Sequence, residues 1–288
     1  MNSEEFINEI KENYPENGKL LADYREFIQY QQLAKQTLDA FVAVCDSSEI
    51  WYQLAWGSLL GAIRDEGQIP WDYDIDVFVL AKDRATLVEE LRAKLDEAYS
   101  FECLETNPKC RNYIMRIYPI GYDSSALHVD VFFLAGVPVK GDLKEKWLRK
   151  MKWISRARYN KFVDIKREFA GRPKRQAYLA AMKIPATFCS VKHLDRTYWD
   201  LVDEQSLDTA KEWAECDVFA PEAIFDASLL RETVTLHIGT SSYVVSKNYR
   251  ELLQRMYGDY TSYPSFDKRL SEMKEHLAKL RRLCPLRD

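Results

Sequence analysis

Between Leu21 and Cys45 apolar residues recur every three or four positions (Leu21, Tyr24, Phe27, Ile28, Leu33, Leu38, Phe41), which predicts one or two amphipathic helices. Such helices need an apolar surface to cover. The run Ile50-Trp51-Tyr52-Gln53-Leu54-Ala55-Trp56, closed by Gly57-Ser58, supplies one as a mostly buried strand. A short helix follows over Leu59, Leu60, Ala62 and Ile63, after which Pro70 imposes an extended backbone ahead of a second strand, Asp74 to Leu80. Leu87, Leu91 and Leu95, four apart, predict a helix from Arg84 to Tyr99. Strands are then expected over Asn112 to Tyr118 and Leu127 to Leu134, joined as a long hairpin by the turn-rich segment Pro119 to Ser125. Near the C-terminus a strand-like pair, Val234 to Ile238 and Tyr243 to Val245, precedes helices at Asn248 to Met256 and Asp267 to Leu283. The pattern is that of a mixed sheet flanked by helices, with no internal repeat.

Composition narrows the class. The 288 residues are 47% hydrophobic and 30% charged with 10 Gly and 10 Pro, a balance that excludes disordered and collagen-like chains. A net charge of -4 argues against nucleic acid as a partner. Charge is nonetheless segregated: residues 140 to 175 hold fourteen Lys or Arg against four Asp or Glu, a local surface for an acidic glycan or an anionic membrane leaflet. The acidic, Asn-rich N-terminal segment lacks the features of a secretory signal, so the expected location is cytoplasmic, at the inner membrane face if the basic segment binds lipid. Six cysteines without a metal-ligand spacing read as reduced thiols.

The chemistry concentrates in Trp56-Gly57-Ser58-Leu59-Leu60-Gly61-Ala62-Ile63-Arg64 and Ile69-Pro70-Trp71-Asp72-Tyr73-Asp74-Ile75-Asp76-Val77. Gly57-Ser58 ends a strand at a helix start, where free N–H groups can hold a phosphate. Asp72, Asp74 and Asp76 then alternate along a strand, a crowding of like charges that calls for a hard divalent cation, Mg2+ or else Mn2+. Asp130, in the middle of the aliphatic and aromatic run Leu127 to Leu134, would complete a metal site or act as general base if its strand lies beside that of Asp74. The structural alternative has Asp72 capping a turn, Asp74 and Asp76 solvated, and Asp130 paired with Arg116. His128 shares strand parity with Asp130 and could orient an acceptor, although a structural role is the simpler reading. Trp56 and Trp71 flank the motif, with core packing weighed against stacking on a base or a quaternary ammonium.

These residues carry a resemblance. Gly57-Ser58, Asp74-x-Asp76 and Asp130 resemble the signature of the nucleotidyltransferase-fold superfamily, and the longer runs G-S-L-L-G-A-I-R and I-P-W-D-x-D-I-D-V look like the LicD family, which includes bacterial phosphorylcholine transferases and fukutin-related transferases. His128-Val129-Asp130-Val131-Phe132 and Tyr257-Gly258-Asp259-Tyr260 extend the likeness, which covers roughly residues 35 to 135 and 230 to 265. It implies an α+β fold with a nucleotidyltransferase-like core with N-terminal helices over 1–139, and a basic and helical region over 140–288 packed upon it. It also implies Mg2+-dependent transfer of a phospho-alcohol, such as phosphocholine or an alditol phosphate, from a CDP-activated donor to a sugar hydroxyl of a glycan of the lipopolysaccharide, teichoic acid or capsule type, with release of CMP. Asp74 and Asp76 would hold the metal, Gly57 and Ser58 the phosphate oxygens, and Asp130 would ligate metal or take the acceptor proton. Arg64 would offset diphosphate charge, or else pair with Asp65 or Glu66, while Asp72 would sit near the donor or pair with Arg64. The family's further Asp is Tyr73 here. Two other activities fit the same residues: attack on an NTP with release of pyrophosphate, and nucleotide binding without catalysis.

Overall fold

The computed structural model describes residues 1–138, 141–217 and 223–286. Lys140, the first cation of the basic segment, and the 139/140 division lie outside the described residues. Helix α1 (Ser3–Asn13) opens on a capping box in which Asn2 and Glu5 satisfy each other's backbone N–H groups. The next helical stretch is a single helix, α2 (Gly18–Ser47), 30 residues long. Its buried stripe, Leu20, Tyr24, Phe27, Ala34, Leu38, Phe41 and Cys45, keeps one face on the core throughout.

Seven strands form the main sheet: β1 (Tyr52–Leu54), β2 (Ile75–Leu80), β3 (Tyr99–Glu102), β4 (Met115–Pro119), β5 (Val129–Gly136), β6 (Glu212–Glu215) and β7 (Ile224–Asp226). The order is β1-β2-β5-β4-β3, with β6 on the far end of β5 and β7 beyond it. Only β2 and β5 run parallel among the described strands, so the sheet is mixed. β4 and β5 form the expected antiparallel hairpin. The helix expected to reach Tyr99 stops at Lys94 (α4, Arg84–Lys94), because Leu95 turns to an extended backbone and Tyr99 already pairs with Pro119. β2 begins at Ile75, which leaves Asp72 and Asp74 on the loop leading into it.

Strand alternation divides the sheet into two faces. Val77, Val79, Val129, Val131, Met115 and Ile117 are fully buried on one, against which α2 packs. The other carries Asp76, Asp130 and Arg116. Helix α3 (Trp56–Arg64) bridges β1 and β2 and lies along β2. Gly61 on α3 faces the loop behind it, where a Cβ would come 2.6 Å from the Gly67 carbonyl oxygen.

The second half of the chain adds α5 (Gly141–Phe162), α6 (Ile165–Glu168), α7 (Pro173–Thr187) and α8 (Val191–Val202), then β6 and β7, and the short α9 (Ser228–Arg231). Arg158 of α5 is fully buried: it donates to the carbonyls of Cys110 (2.7 Å) and Pro108 (2.9 Å) and pairs with Asp195 of α8. One cation of the basic segment is therefore a structural anchor. The hairpin β8 (Thr233–Ile238) and β9 (Ser241–Ser246) leans on β1 through β9. α10 (Tyr249–Tyr257) packs on α3, and α11 (Phe266–Leu283) on α2. Among the described residues no helix is long and apolar enough to cross a membrane.

Gly61→Ala forces α3 and the Gly67 loop apart, because the obstructing atom is backbone and cannot rotate away. We expect a loss of about 1–3 kcal/mol in a denaturant titration; an unchanged midpoint would show that the loop yields freely.

Candidate active site

The geometry begins at the start of α3. Ala55, its N-cap, offers no side-chain acceptor, so the first N–H groups of the helix are not capped from within. Trp56 adopts φ +43°, a left-handed conformation costly for a bulky residue. Its indole N–H donates to Glu215 Oε2 at 3.0 Å, and its ring packs on Phe78 and Phe225 with centroids 6.0 and 5.7 Å away. These contacts fix the turn that presents Gly57 and Ser58. Ser58 Oγ accepts from the Asp76 N–H at 2.8 Å, tying helix to strand while its own proton stays available to donate. A Cβ on Gly57 would lie 3.6 Å from Asp72 Oδ2, so that carboxylate sits over the helix start.

The carboxylates converge from two directions. On the sheet, Asp76 of β2 is registered with Asp130 of β5, Asp130 with Arg116 of β4, and Arg116 with Glu102 of β3. A line of charge therefore crosses four strands at one level. On the loop, Asp72 and Asp74 meet His276 of α11, with ligand atoms of all three within 4.8 Å of one another. Asp72 Oδ1 accepts from the Asp74 N–H at 3.1 Å and lies 3.7 Å from His276 Nδ1. Burial and then the charge of Asp74 push Asp72 up to about 6. Burial together with Asp130, Asp74, Asp72 and Glu215 pushes Asp76 well above the usual carboxylate range.

Asp130 behaves oppositely. Burial alone would raise it, yet His128 and Arg116 hold it well below the usual range. Arg116 Nε donates to Oδ1 at 2.9 Å and His128 Nε2 lies 3.2 Å from the same oxygen, which leaves Oδ2 without a protein partner. The pairing weighed as the structural alternative is thus present, and it engages Oδ1 alone among the contacts of the described residues. His128 is buried and has no hydrogen-bond partner at Nδ1.

Two flanking residues take the packing roles weighed for them from the sequence. Trp71 is 4% exposed, between Phe6 and Tyr263, with the guanidinium groups of Arg64 and Arg269 at 5.6 and 5.1 Å from its ring. The protein's own cations lie against that ring, and Trp71 packs as a core residue. Arg64 donates to Asp65 at 2.8 and 3.1 Å and lies over Tyr263, so of the pairings weighed for it the one with Asp65 is present and the one with Asp72 is not. Asp72 meets His276 instead. Trp56 is half-buried and engaged by Glu215, as described above.

Sequence reasoning missed His276 and Glu215, which sit far along the chain in elements without a motif. Glu215, on β6, is pushed up to about 8 by burial first and then by Asp217. Tyr257, opening the Y-G-D-Y segment, feels the charges of Asp76 and Asp72, which adds to burial in raising its phenol.

Two cavities flank the carboxylates. A small one of about 80 Å³ lies beneath α3, lined mainly by Leu38, Leu54, Ile69 and Tyr243, with Asp72 and Asp74 at its edge. A large cleft of about 740 Å³ lies between the α6 region and α11, and His276 lines it. The Asp72–His276 contact is the seam between them. The donor set of clustered carboxylate oxygens with a single imidazole fits a hard divalent cation.

A mixed sheet with carboxylates on adjoining strands, beside an uncapped helix start joined to one of them, is the arrangement of a nucleotidyltransferase domain. Residues 49–186 match the model of the LicD/FKTN/FKRP nucleotidyltransferase domain, a span that takes in most of the basic segment as well as the motif strands. These residues form a LicD-type nucleotidyltransferase domain, and the chain is a transferase of the LicD kind. It is similar to the lipopolysaccharide cholinephosphotransferase LicD of Haemophilus influenzae, with 27% identity over 261 residues, covering 81% of this chain and 91% of the relative.

Glu215 generates a pH signature. Its pKa rises from 4.5 unfolded to about 8 folded, so the folded protein holds this proton more tightly and stability is lost as pH climbs between those values. Glu215→Gln keeps an acceptor for Trp56 and removes the loss, so its stability relative to wild type rises up to about tenfold in folding constant per pH unit. Unfolding midpoints of both proteins at pH 5, 7 and 9 measure this; parallel pH profiles would contradict it.

Proposed function

We propose that the protein transfers a phosphocholine-type group from a CDP-activated donor to a sugar hydroxyl of a lipopolysaccharide-type glycan, with release of CMP. The carrying observation is the adjacency of Asp76 and Asp130 beside the Asp72–Asp74 loop and the start of α3. The kinship with a lipopolysaccharide cholinephosphotransferase supports the choice of donor and acceptor class. In the reaction a bond forms between the sugar oxygen and the transferred phosphorus, the bond from that phosphorus to CMP breaks, and the hydroxyl proton passes to a base.

Asp74 and Asp76 would hold Mg2+ or Mn2+, with Asp72 and His276 at the edge of the same cluster. Such an ion, when bound, neutralises diphosphate charge and stabilises the departing CMP. The Gly57 and Ser58 N–H groups and the Ser58 hydroxyl would hold phosphate oxygens. Asp130 would receive the acceptor hydroxyl on Oδ2, while Arg116 and His128 fix its other oxygen. These partners make it a weak base, which suffices where the proton leaves late, as in a loose phosphoryl-transfer transition state. Arg64, committed to Asp65, would act at most through the field it adds near the site.

With Mg2+ and a panel of CDP-choline, CDP-ribitol, CDP-glycerol and nucleoside triphosphates, we expect slow CMP release from one CDP compound; pyrophosphate from a triphosphate would favour the nucleotidyltransferase alternative. Asp74→Asn should cut release about 10²-fold or more and abolish the thermal stabilisation that Mg2+ gives the wild type. Asp130→Asn should keep that stabilisation and lose ~10²- to 10⁴-fold in transfer. Near wild-type turnover in either variant would remove that residue from the site.

The reaction would take place against the inner membrane leaflet. Helix α7 turns Tyr178, Ile184 and, just past its end, Phe188 outward, with 55%, 65% and 87% exposure, and Arg172, Lys174 and Arg175 stand at its start. On α5, Trp153 is 58% exposed among Arg149, Lys150 and Arg156. Apolar side chains set among cations, on a chain of net charge -4, complement anionic lipid. The protein should co-sediment with phosphatidylglycerol vesicles, less so at 0.5 M salt (~4 Å screening length), and a Trp153→Ala/Phe188→Ala variant should stay in the supernatant. Equal binding to neutral vesicles would refute the electrostatic part.

A further inference from the structure

We infer that the large cleft between the α6 region and α11 is a binding site for a phosphate-bearing substrate group, adjoining the carboxylate cluster at His276. The inference rests on the transferase reading for its position beside the reacting centre, and on the cleft's own charges for its ligand.

The cleft encloses about 740 Å³ and is lined by Arg111, Arg167, Arg172, Lys279 and Arg282, against only Glu168 and Glu275. Some of these charges are already spent. Arg111 pairs with Glu168, and Arg167 with Asp123 outside the lining set. Lys279 donates to the neutral hydroxyl of Tyr73 at 2.7 Å, so its charge is not cancelled. Arg172 and Arg282 are exposed and have no carboxylate within ion-pair distance among the described residues. The surplus is therefore three cations to one carboxylate, that of Glu275.

One buried nitrogen in the lining, Arg111 Nε, lacks a hydrogen-bond partner among the described residues, whereas His276 Nδ1 is turned toward Asp72. An unpaired buried donor of this kind is unfavourable in a closed structure and becomes useful when an anion enters. An electropositive cleft next to an acidic cluster also separates the two kinds of ligand: the carboxylates attract a cation and repel bare phosphate, while the arginines do the reverse. Guanidinium groups suit phosphate oxygens by geometry. The phosphate could come from the diphosphate of a nucleotide donor or from a phosphorylated sugar of the acceptor.

Calorimetric titration in EDTA keeps the metal cluster out of the measurement. Inorganic pyrophosphate, CDP and a lipid-free phosphorylated oligosaccharide are titrated into wild type and into Arg172→Gln/Arg282→Gln, whose replaced side chains are exposed. We expect pyrophosphate to bind about tenfold or more weakly to the variant. A matching loss for CDP assigns the cleft to the donor, and a matching loss for the oligosaccharide assigns it to the acceptor. Pyrophosphate affinity that is equal in the two proteins, or absent in the wild type, overturns the proposal. If the panel yields no group transfer while the variant still loses affinity, the transferase reading fails and the cleft stands.

Discussion

Asp76 and Asp130 stand side by side on the two parallel strands, and most of the surrounding structure can be understood as managing that juxtaposition. Two carboxylates on neighbouring strands, half covered by protein, repel one another in a medium that screens poorly. The sheet answers from one side with Arg116, registered beside Asp130. The result is an asymmetric pair: Asp130 is held ionised by Arg116 and His128, and Asp76, without such a neighbour, is pushed upward. A protein seeking stability alone would place Val or Ile at either position, as it does at Val77 and Val131 one residue further on. The unrelieved half of the pair faces the loop of Asp72 and Asp74, where a cation would complete the compensation.

The legible part of this architecture lies where local pattern and tertiary role coincide. The stripe of α2, the β4–β5 hairpin and the β8–β9 pair carry strong periodicity over many residues, and the structure has them nearly as read. β3, β6 and β7 were not foreseen, since each has three or four residues and owes its conformation to pairing. The acidic motif was visible as a misplaced run of charge. His276 and Glu215 were not, because nothing in an amphipathic helix or a four-residue strand marks a residue that reaches a site formed by the opposite end of the chain. Trp71 leaves two roles open in the sequence for a related reason: proximity to Asp72 says nothing of which way an indole points, and this one takes the default core role, turning into the aromatic cluster with Phe6 and Tyr263.

The C-terminal third is thereby more than packing on a catalytic core. α11 brings His276 to the loop carboxylates and Lys279 to the Tyr73 hydroxyl. β6 brings Glu215 to the indole that braces the start of α3. Tyr73, between the two loop aspartates, accepts on its hydroxyl from Lys279 of α11, which ties that loop to the C-terminal helix.

The pairing of β2 with β5 also sets an order in time. Asp76 and Asp130 are 54 positions apart in sequence, and α4, β3 and β4 fill the interval between the strands that pair them. Long-range closure of this kind is slow, and local helices and the β4–β5 hairpin precede it. While the chain is still open the two aspartates are separated by flexible polypeptide and water, so their repulsion does not burden the early stages of folding. The step that brings the two carboxylates together also joins Val77 to Val131 on the opposite face under α2, so the electrostatic cost that function requires is offset by apolar burial gained in the same event.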